Sequence, residues 1–135
     1  MNSVINRTAL AFIISAFCMI SCSKSDEAAG NANNEKLKGY WLYENGAECY
    51  YDGTSNLAKG TKVPDDNSCW KFEIGENYWQ NLTYSQDNTW TLDHILRWCP
   101  DGTKTYNDAT ITLVNDTTIE AQIEGHGLEV LHKQP

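Results

Sequence analysis

The chain has 135 residues, with 18 acidic against 10 basic side chains and a formal net charge of −8. That balance argues against nucleic acid as a partner, because phosphates call for a basic face, and it keeps the folded part off anionic lipid surfaces. At this length one domain is the natural count, and such a domain can bury a core without metals.

Met1–Thr8 is polar with one basic side chain, Arg7, and Ala9–Ile20 reads "ALAFIISAFCMI", almost wholly apolar. As a helix this run would span about 18 Å, short of the roughly 20 residues a permanent membrane span needs. A basic start, a short apolar centre and a small residue at the end describe a secretory signal. "MISC" (Met19–Cys22) resembles the lipobox of bacterial lipoproteins. The resemblance implies cleavage after residue 21 and lipidation of Cys22, hence attachment to a membrane through a lipid anchor. Several acyl chains hold a protein firmly where one does not.

"SKSDE" follows the cysteine and resembles the export tag of surface lipoproteins in certain Gram-negative anaerobes. The expected address is the outer membrane, exposed at the cell surface, with the periplasmic side as the alternative. Ser23–Lys36 is rich in Ala, Asn, Ser and charge, a composition that buries too little to fold. The reading is a signal peptide over 1–21, a lipidated tether over 22–36 and a β domain over 37–135. Removing 1–21 takes away Arg7 and no acid.

From residue 37 onward, alternation of period two dominates, the signature of strands packed on one side and wet on the other. "LKGYWLY" opens the region with Gly39-x-Trp41. A long loop is expected from about Gly53 to Asn67. "CWKFEI" then places Trp70, Phe72 and Ile74 on one face of an expected strand, with Trp70 in the core. Trp79 lies opposite Tyr78 and beside Asn81 and Thr83, which puts it on the wet face. "NTWTLDHILRWC" sets Trp90, Leu92, His94, Leu96 and Trp98 in one row, with Asp93 and Arg97 as an ion pair on the other. "TITLV", "TIEAQIE" and "GLEV" continue the alternation to the end of the chain.

Turn residues punctuate these runs at "YDGTSN", "VPDDNS", "QDN", "PDGT" and "NDT", since Gly, Asn, Asp and Pro favour tight turns. The fold class expected is all-β. It is an antiparallel meander of about seven or eight strands, closing as a barrel or half-barrel, with a sandwich as the alternative.

Of the five cysteines, Cys18 leaves with the signal and Cys22 takes lipid. Cys49, Cys69 and Cys99 remain, so at most one internal disulfide forms in an oxidising compartment. Cys69–Cys99 is the preferred pairing and Cys49–Cys69 the alternative.

Gly39-x-Trp41, the "CWKFEI" stretch and the closing "ATITLVNDTTIEAQIEGHGLEVLHK" together resemble small bacterial lipocalin-like lipoproteins. The resemblance implies a short up-and-down barrel plugged at one end by Trp41. In larger lipocalins a basic side chain late in the chain packs on that ring, and here only His132 and Lys133 stand late.

Motifs for catalysis and metals are missing: there is no C-x-x-C, H-E-x-x-H or G-x-S-x-G, and the three histidines lack ligand spacing. The expectation is a binding protein rather than an enzyme, with no cofactor. It would hold a small, partly apolar molecule in the barrel mouth against Trp90, His94 and Trp98. The alternative is a sandwich that docks a glycan or a protein through exposed Trp79, Tyr84 and the Tyr50–Tyr51 pair, or an accessory protein with no small ligand.

Overall fold

The structure, a computed structural model, describes residues 32–135. The expected signal sequence, the lipobox-like stretch and Cys22 lie outside the described residues.

The alternating segments become eight strands: β1 Gly39–Tyr43, β2 Glu48–Tyr51, β3 Ala58–Lys62, β4 Asn77–Gln86, β5 Thr89–Trp98, β6 Thr103–Asn115, β7 Thr118–Ile123 and β8 Gly127–Lys133. Each pairs antiparallel with the next, and β8 returns to β1, so the sheet closes into a barrel. Closure leaves no sheet edge exposed. It decides between the expected architectures: the meander is a closed barrel, not a half-barrel or a sandwich.

The register shows why alternation suffices on one side of the barrel. Ala109, Ile111 and Leu113 of β6 stand directly opposite Ile123, Ala121 and Ile119 of β7, and all six are buried. On the other flank of β6, Ile111 and Ala109 oppose Trp90 and Leu92 of β5. Directly opposed apolar side chains on one face are the unit of sheet stabilisation. Leu131 of β8 continues the layer opposite Ile119.

One end of the barrel is closed by the residues just before β1. Residues 32–34 form a helical turn, and Glu35–Leu37 a 3-10 turn whose Leu37 is wholly buried. Trp41 donates from Nε1 to the Leu37 carbonyl at 2.7 Å. Asn34 accepts from Trp90 Nε1 at 2.8 Å, and Lys36 donates to the Asn88 side chain. Residues 32–36, expected to belong to the tether, are therefore packed against the barrel through polar groups, which hydrophobicity does not register. Lys133 lies over the Trp41 ring, 5.5 Å from its centroid.

Two expectations about the middle of the chain are corrected. The loop expected from Gly53 to Asn67 is interrupted by β3, whose inward residues are only Ala58 and Gly60. "CWKFEI" is not a strand: residues 63–76 form one long connection between β3 and β4. Asn67 holds it irregular, accepting from the Phe72 amide at 2.7 Å and donating to the Phe72 carbonyl at 2.8 Å. Lys71 takes a left-handed φ of 58°. Trp70, expected in the core, is 40% exposed, and Ile74 is 72% exposed.

Candidate functional site

The end opposite the 3-10 turn is open. The β1–β2 turn, the 63–76 connection, the end of β5 and the β7–β8 turn gather around a cavity of about 510 Å³. The volume lies within the usual range for small-molecule sites.

The floor is a polar network built on Tyr43, the last residue of β1. Its hydroxyl lies 2.9 Å from His94 Nε2, and it accepts from Trp79 Nε1 at 2.8 Å. His94 Nδ1 sits 2.7 Å from the Ile95 carbonyl. A carbonyl only accepts, so Nδ1 carries the proton and Nε2 accepts from Tyr43. Burial drives the imidazole down to a pKa of about 4, the Ile95 carbonyl opposing, so it is neutral at ordinary pH. Burial also pushes the Tyr43 hydroxyl well above its usual range. Cys49, free and buried, points its thiol at the Tyr43 oxygen at 3.9 Å, and burial raises that thiol strongly too. Neutral groups satisfied by one another make a dry, stable floor.

The walls are aromatic and aliphatic. Tyr78 and Phe72 pack with tilted rings, centroids 5.5 Å apart, and Tyr78 meets Tyr43 edge-on at 5.9 Å. Tyr78 fits because Gly60 has no side chain: a Cβ there would stand 2.3 Å from the Tyr78 ring. Ile95 and Leu96 add apolar surface, and Trp70 and Trp98, the latter 45% exposed, frame the mouth. The disulfide Cys69–Cys99 joins the 63–76 connection to the β5–β6 turn, with a Cα–Cα distance of 5.1 Å. It is the preferred pairing, and it tethers the segment that carries Trp70 and Phe72.

The sequence-derived site residues divide. His94 and Trp98 line the cavity. Trp90 shares their row but is buried at the closed end, bonded to Asn34, and takes no part. Trp79, expected exposed, is wholly buried, because Asn81 takes a φ of 54° at a register shift between Gln80 and Thr83, which resets the alternation. Tyr84 is half-buried, edge-on to Trp90 at 5.5 Å, and Tyr51 is buried with its hydroxyl on the Ser55 carbonyl. Tyr50 packs on Tyr40 instead of standing free. Of these rings, Trp79 and Tyr51 are buried and Tyr50 and Tyr84 are half-buried. Asp93 and Arg97 are not paired: Asp93 accepts from Asn81, and Arg97 binds Glu76 and the Gly102 carbonyl.

Sequence reasoning missed Tyr43, Phe72, Tyr78 and Glu129 as cavity residues. Tyr43 was findable, since it shares a face with Trp41 at the far end of the first strand. Among the described residues no group of three or more His, Cys, Asp and Glu is placed to hold a metal ion. Comparison of the chain with protein-family models, with curated proteins and with solved structures returns no match.

Proposed function

We propose that this chain is a lipid-anchored, extracytoplasmic binding protein of lipocalin-like build, holding a small, partly apolar molecule in the open end of its barrel. The observation that carries the reading is the cavity of about 510 Å³, walled by rings and floored by a neutral His94. An apolar enclosure with a few oriented polar groups is what small-molecule sites have in common. The lipocalin-like part draws support from Gly39-x-Trp41, with Lys133 over the ring, at the closed end. The non-enzymatic part draws support from the same groups. Cys99 is in a disulfide, Cys49 is buried as a thiol, and both His94 nitrogens are already bonded.

Tryptophan fluorescence tests the binding claim, because Trp70 and Trp98 stand at the mouth. Titration with amphiphilic aromatic and acyl compounds is expected to shift the emission, and Trp98→Ala to abolish most of the shift. No shift from any compound overturns the reading. The anchor is tested separately: Cys22→Ser is expected to abolish palmitate labelling, and labelling undiminished in that variant overturns the address.

A further inference from the structure

The charge around the cavity says what kind of molecule enters. Glu44, Asp65, Asp66 and Glu129 stand in its lining, against Arg97 and His126. Arg97 is bound through its two terminal nitrogens to the Gly102 carbonyl and to Glu76, and its buried Nε is left without a partner. Asp65 is matched by Lys62 at 3.1 Å. Glu129 is different. One of its oxygens, Oε1, lies 2.8 Å from His126 Nε2, while Oε2 is buried without any partner. A buried carboxylate oxygen without a donor is costly, and the cost is removed by whatever brings one. Burial pushes the Glu129 carboxyl upward, with a lesser push from the charge of Glu44, and His126 opposes both. The rings of Trp70 and Trp98 share this lining, and the face of such a ring attracts an ammonium and repels an anion.

We infer that the cavity selects by charge, and that its occupant is an amphiphile with a protonated amine on an apolar or aromatic body. The inference rests on the binding reading above and adds the ligand class to it. The ammonium sits against the Glu129 carboxylate, with Glu44 and Asp66 strengthening the local potential. The apolar body lies along Tyr78, Phe72 and Leu96. A fatty acid or other organic anion of the same size meets more acids than bases in the same lining and is rejected.

Three probes share one body and differ in charge: 1-pyrenemethylamine, 1-pyrenemethanol and 1-pyrenecarboxylate. Each is titrated into the purified protein at pH 7, with energy transfer from tryptophan as the readout. The amine is expected to bind at least tenfold more tightly than the alcohol, and the carboxylate to bind weakest. Glu129→Gln should bring the amine to the level of the alcohol and leave the alcohol unchanged. Asp116→Asn, in the β6–β7 turn at the other end of the barrel, should change neither, which separates the site from the general pull of an acidic chain. Should Glu129→Gln not fold, Glu44→Gln is expected to weaken the amine severalfold and spare the alcohol. Equal binding of amine and alcohol, tightest binding of the carboxylate, or equal losses from Glu129→Gln and Asp116→Asn would overturn the charge inference and leave the binding reading standing. Absence of binding by all three would remove both.

Discussion

Lys133 and Trp41 are bound face to cation, the ammonium 5.5 Å from the ring centroid, and Gly39 makes the contact possible. Gly39 holds a φ of 134°, and a Cβ there would stand 2.7 Å from Lys133 Cε. The two fixed residues of Gly39-x-Trp41 thus have one physical reason: glycine clears the path of the lysine stem and tryptophan receives its charge. Lys133→Met keeps the stem and loses the charge, and is expected to lower stability by about 0.5–1 kcal/mol. Gly39→Ala should cost roughly 1–3 kcal/mol through the backbone conformation. Urea unfolding of the two variants and their combination should show less than additive losses, since they share one contact. Full additivity would mean that the lysine and the glycine act independently.

Tyr43→Phe tests the floor of the cavity. The substitution keeps the ring and strips Trp79 Nε1 and His94 Nε2 of their common partner, both in buried surroundings. Leaving buried polar groups unpaired costs about 1–3 kcal/mol each. The expected loss in urea unfolding is about 2 kcal/mol or more, with the far-ultraviolet spectrum unchanged. A neutral result would mean that the network carries no stability.

His94 gives the protein an acid-sensitive stability. Its folded pKa is near 4 against an ordinary value of 6.5, so the unfolded chain takes up its proton first. The stabilisation is fully present above about pH 6.5, is lost as pH falls toward 4 and is gone below it, amounting to roughly 3 kcal/mol at most. His126 pushes in the same direction as burial. Glu129 opposes: its carboxyl is raised by burial, so its protonation favours the folded form as pH falls. The clean measurement is the slope of unfolding free energy against pH in the parent and in His94→Gln. The variant should be less stable at pH 7 and flatter by about one proton between pH 6.5 and 4. Parallel slopes would assign the acid sensitivity elsewhere.

Where the strands keep an unbroken register, the sequence could be read directly. β5, β6 and β7 pair without a shift from Ala109 to Leu113, and their alternation predicts burial residue by residue. Where the register shifts, period two misleads. Trp79 went to the wrong face because Asn81 absorbs an extra residue, and that shift depends on the partner strand. β3 was invisible because an inward pair of Ala58 and Gly60 carries no hydrophobic signal. The cavity was half legible for a different reason. Alternation gives the face of a residue but not its depth along the barrel axis. Trp90 and Trp98 share a row yet lie about 26 Å apart at roughly 3.3 Å per residue, so only one of them reaches the mouth. The acids of the cavity come from the β1–β2 turn, the 63–76 connection and β8, and only closure of the barrel brings them together.

The Cys69–Cys99 bridge ties two cavity-forming segments across a sequence separation of 30. In the chain-entropy view a loop of that size is worth roughly 3–4 kcal/mol. The pair Cys69→Ala and Cys99→Ala is therefore expected to lower the urea midpoint by a corresponding amount while preserving the barrel, whose strand pairings do not involve either residue. Binding should suffer more than the fold. Trp70 and Phe72 reach the cavity from the 63–76 connection, whose ends are fixed by Asn45, Gly60, Lys62 and Arg97 and whose centre is held by the Asn67 clamp and this bridge. The affinity for an aromatic amine is expected to fall at least fivefold in the bridgeless variant, measured under conditions where it remains folded. Cys49→Ala supplies the control for cysteine loss alone, because that thiol is free and buried and reaches the cavity floor only through Tyr43. If the bridgeless variant binds as tightly as the parent, the connection is positioned by its own hydrogen bonds, and the disulfide serves stability alone.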